Sequence, residues 1–481
     1  MVKNLFLASD EIPSGAFFRY VHELNDLHVH SLIVRHHDRQ IVELYWKPYN
    51  SREKQIMFSV SKSFTAVAVL FAVQDGLCSL ETPVCDILEA YVDFEPEDRV
   101  RRVKIRHLLT MTFGFVEEGV QKFYLEHDWL SEALSLCPQH EPGSVFFYDN
   151  RCPFLCSVIV TKLTGKSMLD YLQEKLFTPL GIDPSEAAWE RNLQGYDKGA
   201  YGLSLTSRGL AKFGQFILNG GRWQGVQLLK RSYVDMIMTV QVPTRRDVGF
   251  PRERDNSLGY SYFFWKCQPA GAFRASGLFG QFSIILPEQD MVIAITSGAQ
   301  NAEKQAILSA TWRMLKFMGR RSADDVAISH IQPFLDGLSI KIPADDESFD
   351  PRMFGRIFRF PPNKLKIRSI KLLPVDENHL TMYLSTEKKD LVFSIKDHVW
   401  QKTVTDKFCN DKFDSCSTIF YQNPYIAYGW QKKELIVKLV YNQGVFVDTI
   451  VLSVVGGRLQ LHYMPMPGFM IRSLEMILLS V

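Results

Sequence analysis

The chain has 481 residues, with 55 Lys and Arg against 53 Asp and Glu and a formal net charge of +2. Apolar residues make up 46% and charged residues 22%, the balance of a globular protein with a real core and not of a disordered one. The even charge lacks the electrostatic footprint of a nucleic-acid or anionic-membrane binder, and Phe64–Val73, the longest apolar stretch, falls far short of the roughly 20 residues that span a bilayer.

Near the N-terminus, Leu5–Ala8 is too short for the apolar part of a signal peptide and runs into Ser9-Asp10-Glu11, so a cytoplasmic location is expected. Residues 30–48 alternate as a hairpin, with Ser31–Val34 and Ile41–Tyr45 about a turn near Asp38. A nearly all-apolar helix follows from about Val60 to Asp75, with Gly76 as its stop. Apolar on every side, it belongs at the centre of a domain. Residues 80–240 read mainly as helix, with turns at Pro142-Gly143 and Asn219-Gly220-Gly221. Strands return over Leu258–Trp265, Phe282–Leu286 and Met291–Thr296, and a helix from about Ala302 to Phe317 ends at Gly319.

Strands at both ends with helices between them predict an α+β domain over residues 1–320, its antiparallel sheet closed by the first and last segments. Residues 321–351 carry polar, Pro-bounded runs and read as a linker. From 352 to 481, short alternating strands such as Leu380/Met382/Leu384 and Leu459/Leu461/Tyr463 predict a small all-β barrel or sandwich.

The eight cysteines include no CxxC pair and no zinc-spaced cluster, and read as small buried hydrophobes, with Cys409 and Cys416 in a polar loop as the exposed thiols. HExxH, GxxxxGK[ST] and GxGxxG are all absent, so neither a metal nor a cofactor is expected.

The chemistry is concentrated in three segments. In Phe58-Ser59-Val60-Ser61-Lys62, a helix starting at Ser59 sets Lys62 one turn up the same face. A serine hydroxyl is a poor nucleophile at neutral pH and needs a base, and a lysine serves as one only where burial lowers its pKa. The apolar helix behind Lys62 supplies that burial. SxxK occurs twice more, at Ser51–Lys54 and Ser385–Lys388, in polar surroundings that desolvate nothing. The second segment, Glu141–Asn150, delivers Tyr148 and Asn150 on the same side of an extended stretch. In the third, Ala275-Ser276-Gly277-Leu278, glycine lets a strand approach a ligand closely and offers a backbone N–H to an oxyanion.

In this order, the three segments resemble the SxxK, YxN and [KH]-[TS]-G motifs of the serine β-lactamase and penicillin-binding-protein-like superfamily, specifically its class C-related branch of esterases, D-amino-acid peptidases and 6-aminohexanoate-oligomer hydrolases. Val103–Thr112, Gly202–Ser207 and Leu218–Trp223 are similar to that branch too, and the likeness covers roughly residues 15–320. It implies that Ser59 forms an acyl-enzyme, that Lys62 and Tyr148 share general-base and general-acid duty, and that Asn150 holds the site. It also implies that the N–H groups of Ser59 and Leu278 form the oxyanion hole, and that Ala275, Ser276 and Gly277 line the substrate. Ala275 departs from the family's Lys or His, which implies weak action on β-lactams and other carboxylated substrates. Tyr260 and Trp265, with Phe250, Phe263 and Phe264, read as walls of an apolar acyl pocket or as core. His107 reads as structural, and Arg252–Asp255 as a solvated loop.

The reading is a serine hydrolase of small-molecule esters or amides, working without nucleic acid, membrane, metal or cofactor. Two alternatives stay open: an acyltransferase using the same acyl-serine, and a non-catalytic binding or sensor protein using the same pocket.

Overall fold

β1 (Val29–His36) and β2 (Arg39–Tyr45) form the expected hairpin in a computed structural model that describes residues 12–116, 128–244, 254–319, 328–343, 349–403, 423–466 and 476–481. Four later strands join them: β3 (Trp265–Lys266), β4 (Phe273–Gly277), β5 (Gln281–Leu286) and β6 (Met291–Ser297). The sheet order is β2-β1-β6-β5-β4-β3, so the first hairpin meets the last strand as the sequence predicts. β1 and β6 pair antiparallel from Val29 opposite Ser297 to His36 opposite Met291. Both are interior strands buried along nearly their whole length; β6 reads as a continuous apolar run for that reason, whereas β1 also buries His30, Ser31 and His36.

The five longest helices of the described residues are α1 (Ser14–Leu24), α2 (Ser61–Gln74), α3 (Arg151–Thr164), α4 (Ser207–Leu218) and α5 (Asn301–Leu315). α2 is buried from Ser61 to Ala72, as its all-round apolarity requires. Its Phe64 ring stacks on Phe213 of α4 with centroids 3.8 Å apart. α4 lies hard against β5 and β6: a Cβ at Gly214 would meet Ser283 Oγ at 2.4 Å and Val292 Cγ1 at 2.5 Å. Only glycine lets helix and sheet close to that distance.

Leu258–Trp265 is not the strand that its composition suggests. The Ser261 N–H donates to Phe264 O at 2.9 Å, Phe263 takes φ 58°, and only Trp265–Lys266 joins the sheet. Aromatic residues favour strands because they pack well on a half-buried sheet, and here they pack equally well around a tight turn.

The chain divides into two compact units, Met1–Leu44 with Ser51–Gly337, and Tyr45–Asn50 with Leu338–Val481. Part of the segment expected as linker is the helix Ile328–Asp336. Tyr45–Asn50 goes with the second unit because Lys47 exchanges backbone hydrogen bonds with Leu338 and Ile340, at 3.0 and 2.7 Å. The Tyr49 ring is buried there with Val440 and Val447. Strands Ile357–Arg359, Ile367–Asp376, His379–Thr386 and Asp390–Lys396 form a four-stranded sheet, and six strands between Gln401 and Leu479 form a second. The C-terminal part therefore adds two antiparallel sheets to the α+β domain. No helix among the described residues is long and apolar enough to cross a membrane. Cys409, Cys416 and Phe250 lie outside the described residues, among which Cys137 is the exposed thiol.

Candidate active site

Ser59 does not begin an α-helix. Phe58–Val60 is a single 3-10 turn that feeds α2. Backbone and hydroxyl groups fix this turn: the Met57 N–H donates to Leu203 O at 2.7 Å, and Ser61 Oγ donates to Phe58 O at 2.6 Å while accepting from the Leu203 N–H at 3.1 Å. Ser59 is left half-buried at the turn, with Lys62 behind it at 1% exposure. Lys62 Nζ is 3.0 Å from Ser59 Oγ, 2.7 Å from Ala200 O and 4.9 Å from the centroid of the Tyr148 ring. Burial holds the Lys62 pKa well below the lysine range, against the opposing pull of Asp149 and Cys152.

The Tyr148 segment is hung from the loop at residues 111–112. The Gly143 N–H donates to Thr112 O at 2.7 Å and the Phe147 N–H to Met111 O at 2.9 Å. The Tyr148 ring lies nearly parallel to Trp265, with centroids 5.8 Å apart, and Tyr260 packs edge-on against both rings. Tyr260 and Trp265 are themselves buried, so among the described contacts they brace Tyr148. Burial pushes the Tyr260 pKa well above the tyrosine range.

Asn150 makes no hydrogen bond to Lys62 among the described residues. It stands at the N-terminus of α3, and its buried Oδ1 has no hydrogen-bond partner among the described residues. The acceptor found on Lys62 is the Ala200 carbonyl instead. Not read from the sequence are Asp149 and Arg151, which flank Asn150 and form a buried ion pair in which Arg151 Nε and Nη2 both donate to Asp149 Oδ2, at 2.9 and 2.6 Å. The Arg151 guanidinium lies 3.6 Å from the Phe115 ring centroid. The acid-x-base spacing was visible, but only the fold shows that both charges turn inward.

Gly277 ends β4 directly against the Ser59 turn, where a Cβ would sit 2.4 Å from Met57 O. Beyond it, Leu278-Phe279-Gly280 is a turn whose Phe279 carbonyl accepts from the Ala299 N–H at 3.0 Å and from Ser297 Oγ. Gln281 Nε2 donates to Leu278 O at 3.1 Å and to Ser297 O at 2.7 Å. The third segment is therefore brought to Ser59 on a rigid footing. Ala275 is fully buried opposite Ser283, and Ser276 is 9% exposed. Arg274 is fully buried and donates to Lys266 O and to Asn256 Oδ1.

Phe58 and Phe279 both adopt left-handed backbone, with φ 47° and 60°. For a bulky residue that conformation costs about 1–3 kcal/mol and persists only where surroundings enforce it. Their rings meet edge-to-face with centroids 5.2 Å apart.

The other two SxxK sequences fold into different settings. Lys54 Nζ donates to Ser185 O at an exposed position, and Ser385 lies in a strand of the second unit opposite Asp390. His107 caps its own helical turn by accepting from the Lys104 N–H at 3.2 Å. Burial and the neighbouring Arg106 and Lys104 lower its pKa to about 4. It is a structural histidine.

The fold thus brings together a serine, a buried lysine at the head of a central helix, a tyrosine and the end of a β-strand. Residues 17–314 match the Beta-lactamase family, and the chain belongs to it; its members are serine hydrolases. A β-lactamase of Yersinia enterocolitica is 27% identical over 238 residues, covering 46% of this chain and 58% of that protein. Penicillin-binding protein 4 of Amycolatopsis lactamdurans is 31% identical over 140 residues, or 28% and 36% of the two chains. A lovastatin esterase of Penicillium rubens is 25% identical over 152 residues, or 27% and 38%. The chain thus spans well under two thirds of these three relatives. Among solved structures, a Bacillus anthracis protein ascribed to the 6-aminohexanoate-dimer hydrolases superposes with a TM-score of 0.52 at 22% identity, covering 66% of this chain and 86% of that one. A penicillin-binding-protein homologue of Caulobacter crescentus gives 0.50 at 16% identity, covering 63% and 98%. At these identities the two likenesses establish the fold.

Proposed function

We propose that the protein hydrolyses a small, uncharged ester or amide through an acyl-Ser59 intermediate. The observation that carries this reading is the 3.0 Å contact between Ser59 Oγ and the Nζ of a lysine that is 1% exposed. A neutral lysine amine has N–H donors and one lone pair. Donation of one N–H to Ala200 O leaves a second N–H and the lone pair, and with Nζ 3.0 Å from Ser59 Oγ the amine can take up the hydroxyl proton as Ser59 attacks.

In the first step Ser59 Oγ attacks the substrate carbonyl carbon while its proton passes to Lys62 Nζ. The tetrahedral oxyanion is held by the N–H groups of Ser59 and Leu278. The carbonyl–leaving-group bond then breaks, and the departing alcohol or amine takes a proton from Lys62 or Tyr148. Water attacks the acyl-serine, gives up its proton to the same groups and releases the acid, which restores the Ser59 hydroxyl.

The preference for uncharged substrates rests on Ala275 and Arg274. By the resemblance Ala275 stands at the position of the family's Lys or His and provides only a methyl, and the adjacent Arg274 is buried and donates to Lys266 O and Asn256 Oδ1. The test is a panel of p-nitrophenyl esters, short anilides and a chromogenic β-lactam. Turnover of the neutral esters or anilides, with slow turnover of the β-lactam, is expected. The absence of turnover and of any acyl-enzyme across the panel would overturn the reading.

A further inference from the structure

The two segments that carry the proposed oxyanion donors come from distant parts of the chain, residues 57–60 and 277–280. Each has a phenylalanine at its junction: Phe58 immediately precedes Ser59, and Phe279 immediately follows Leu278. Both hold backbone angles that a side chain of this size disfavours, and their rings meet edge-to-face at 5.2 Å. We propose that the Phe58–Phe279 pair is an aromatic clasp that sets the spacing between the Ser59 and Leu278 N–H groups. The inference rests on the acyl-Ser59 reading and adds positioning residues to it.

Each half of the clasp is tied down separately. On the Leu278 side the Phe279 carbonyl is held by the Ala299 N–H and Ser297 Oγ, which leaves the peptide little freedom to rotate. On the Ser59 side the Phe58 carbonyl accepts from Ser61 Oγ at 2.6 Å. Between them the backbones touch where Gly277 meets Met57 O. That backbone contact fixes how near the segments come, but a glycine Cα against one oxygen allows them to pivot. A second contact, the ring pair 5.2 Å apart, removes this freedom. Glycine would satisfy both left-handed positions without strain, so conformation alone does not call for phenylalanine at either. An oxyanion site is sensitive to such a pivot because a donor misplaced by a fraction of an ångström loses its effect in the transition state while substrate binding hardly changes.

The experiment measures the acylation rate constant with a p-nitrophenyl ester and with a fluorophosphonate probe, together with Km and the melting temperature. The proteins compared are wild type, Ser59→Ala, Phe58→Gly, Phe279→Gly, the double glycine variant and Phe58→Tyr. Glycine relieves the backbone but deletes a ring that is buried at Phe279, so the Phe→Gly variants should lose some melting temperature, and rates are compared on folded protein well below it. Their acylation rate constants should fall roughly ten- to a hundredfold with Km changed by no more than about threefold. The double variant should lose no more than the worse single one, because one clasp has two halves. Phe58→Tyr keeps the ring and should keep most of the rate. Phe→Gly variants that acylate within about twofold of wild type, or losses that multiply in the double variant, would overturn the clasp. Should a glycine variant fail to fold, the same decision falls to Phe58→Leu and Phe279→Leu, which keep bulk and lose the aromatic edge. A wild type that takes no label at Ser59 would instead overturn the underlying reading, which separates the two failures.

Discussion

Ala200 lies 138 residues beyond Lys62 in the chain, yet its carbonyl oxygen is 2.7 Å from Lys62 Nζ. The same segment holds α2 a second time, where Thr65 Oγ1 donates to Gly199 O at 2.8 Å. The lysine is therefore aimed by backbone, and no side-chain substitution at Ala200 removes the acceptor. Its orientation should survive Ala200→Ser and Ala200→Val, while the identity of residue 62 should not be negotiable.

Lys62→Arg should lose as much activity as Lys62→Ala, although it keeps the positive charge. Arginine is not deprotonated at accessible pH and offers no lone pair to Ser59. A drop in kcat of about a hundredfold or more is expected for both, the usual worth of general-base catalysis. Activity in Lys62→Arg within tenfold of wild type would reduce Lys62 to an electrostatic role.

The pH dependence follows from the direction of the Lys62 shift. Its pKa in the folded protein lies below the ordinary 10.5. Between those two values the unfolded chain binds a proton that the folded chain does not, so stability rises with pH across this window. The penalty is complete below the folded value and absent above 10.5. Lys62→Met removes that penalty, so its melting temperature relative to wild type should decline as pH rises towards 10. Activity of the wild type should rise with pH on an acid limb that reports loss of the Lys62 proton. Parallel melting curves for the two proteins across pH 6–10 would contradict a buried, neutral Lys62.

Asp149→Asn should destabilise the protein strongly, because it leaves Arg151 buried with its charge uncompensated. Breaking one side of a buried pair costs about 3–5 kcal/mol. The double variant Asp149→Asn, Arg151→Met should recover a large part of this, because no lone charge remains. Equal destabilisation in the single and double variants, by thermal or urea unfolding, would show that the pair contributes shape and not charge compensation.

Ala275→Lys and Ala275→His should shift selectivity towards carboxylated substrates. A charge-assisted hydrogen bond is worth roughly 1.5–3 kcal/mol, or about ten- to a hundredfold in binding. Ala275 is fully buried, so some loss of melting temperature is expected as well. The ratio of kcat/KM for a carboxylated and an uncharged substrate with the same leaving group is independent of how much protein folds. An unchanged ratio in both variants would mean that position 275 does not face the substrate.

The sheet and the central helix were legible because their residues are dictated by local burial. α2 needed only an apolar run and a glycine stop, and it falls at Ser61–Gln74 against an expected 60–75. β5 and β6 lie within a residue of their expected ends for the same reason. The Ser59–Lys62 proximity was legible because SxxK ahead of a buried helix differs from SxxK on a polar surface. The Ala200 acceptor, the Asp149–Arg151 pair and the Phe58–Phe279 contact were not. Each depends on where a carbonyl, a charge or a ring turns once distant segments meet, and no sequence period encodes that. Leu258–Trp265 failed in the opposite way, since its aromatic residues serve a turn with Phe263 at positive φ as well as they would serve a strand.

Acylation at Ser59 underlies every rate effect above. The most direct measurement is intact-protein and peptide mass spectrometry after brief exposure to a p-nitrophenyl ester and to a fluorophosphonate. The account predicts one adduct per chain, carried by the peptide containing Ser59, present in Ser51→Ala and Ser385→Ala and absent from Ser59→Ala. An adduct that persists in Ser59→Ala, or a folded wild type that takes none, would contradict it.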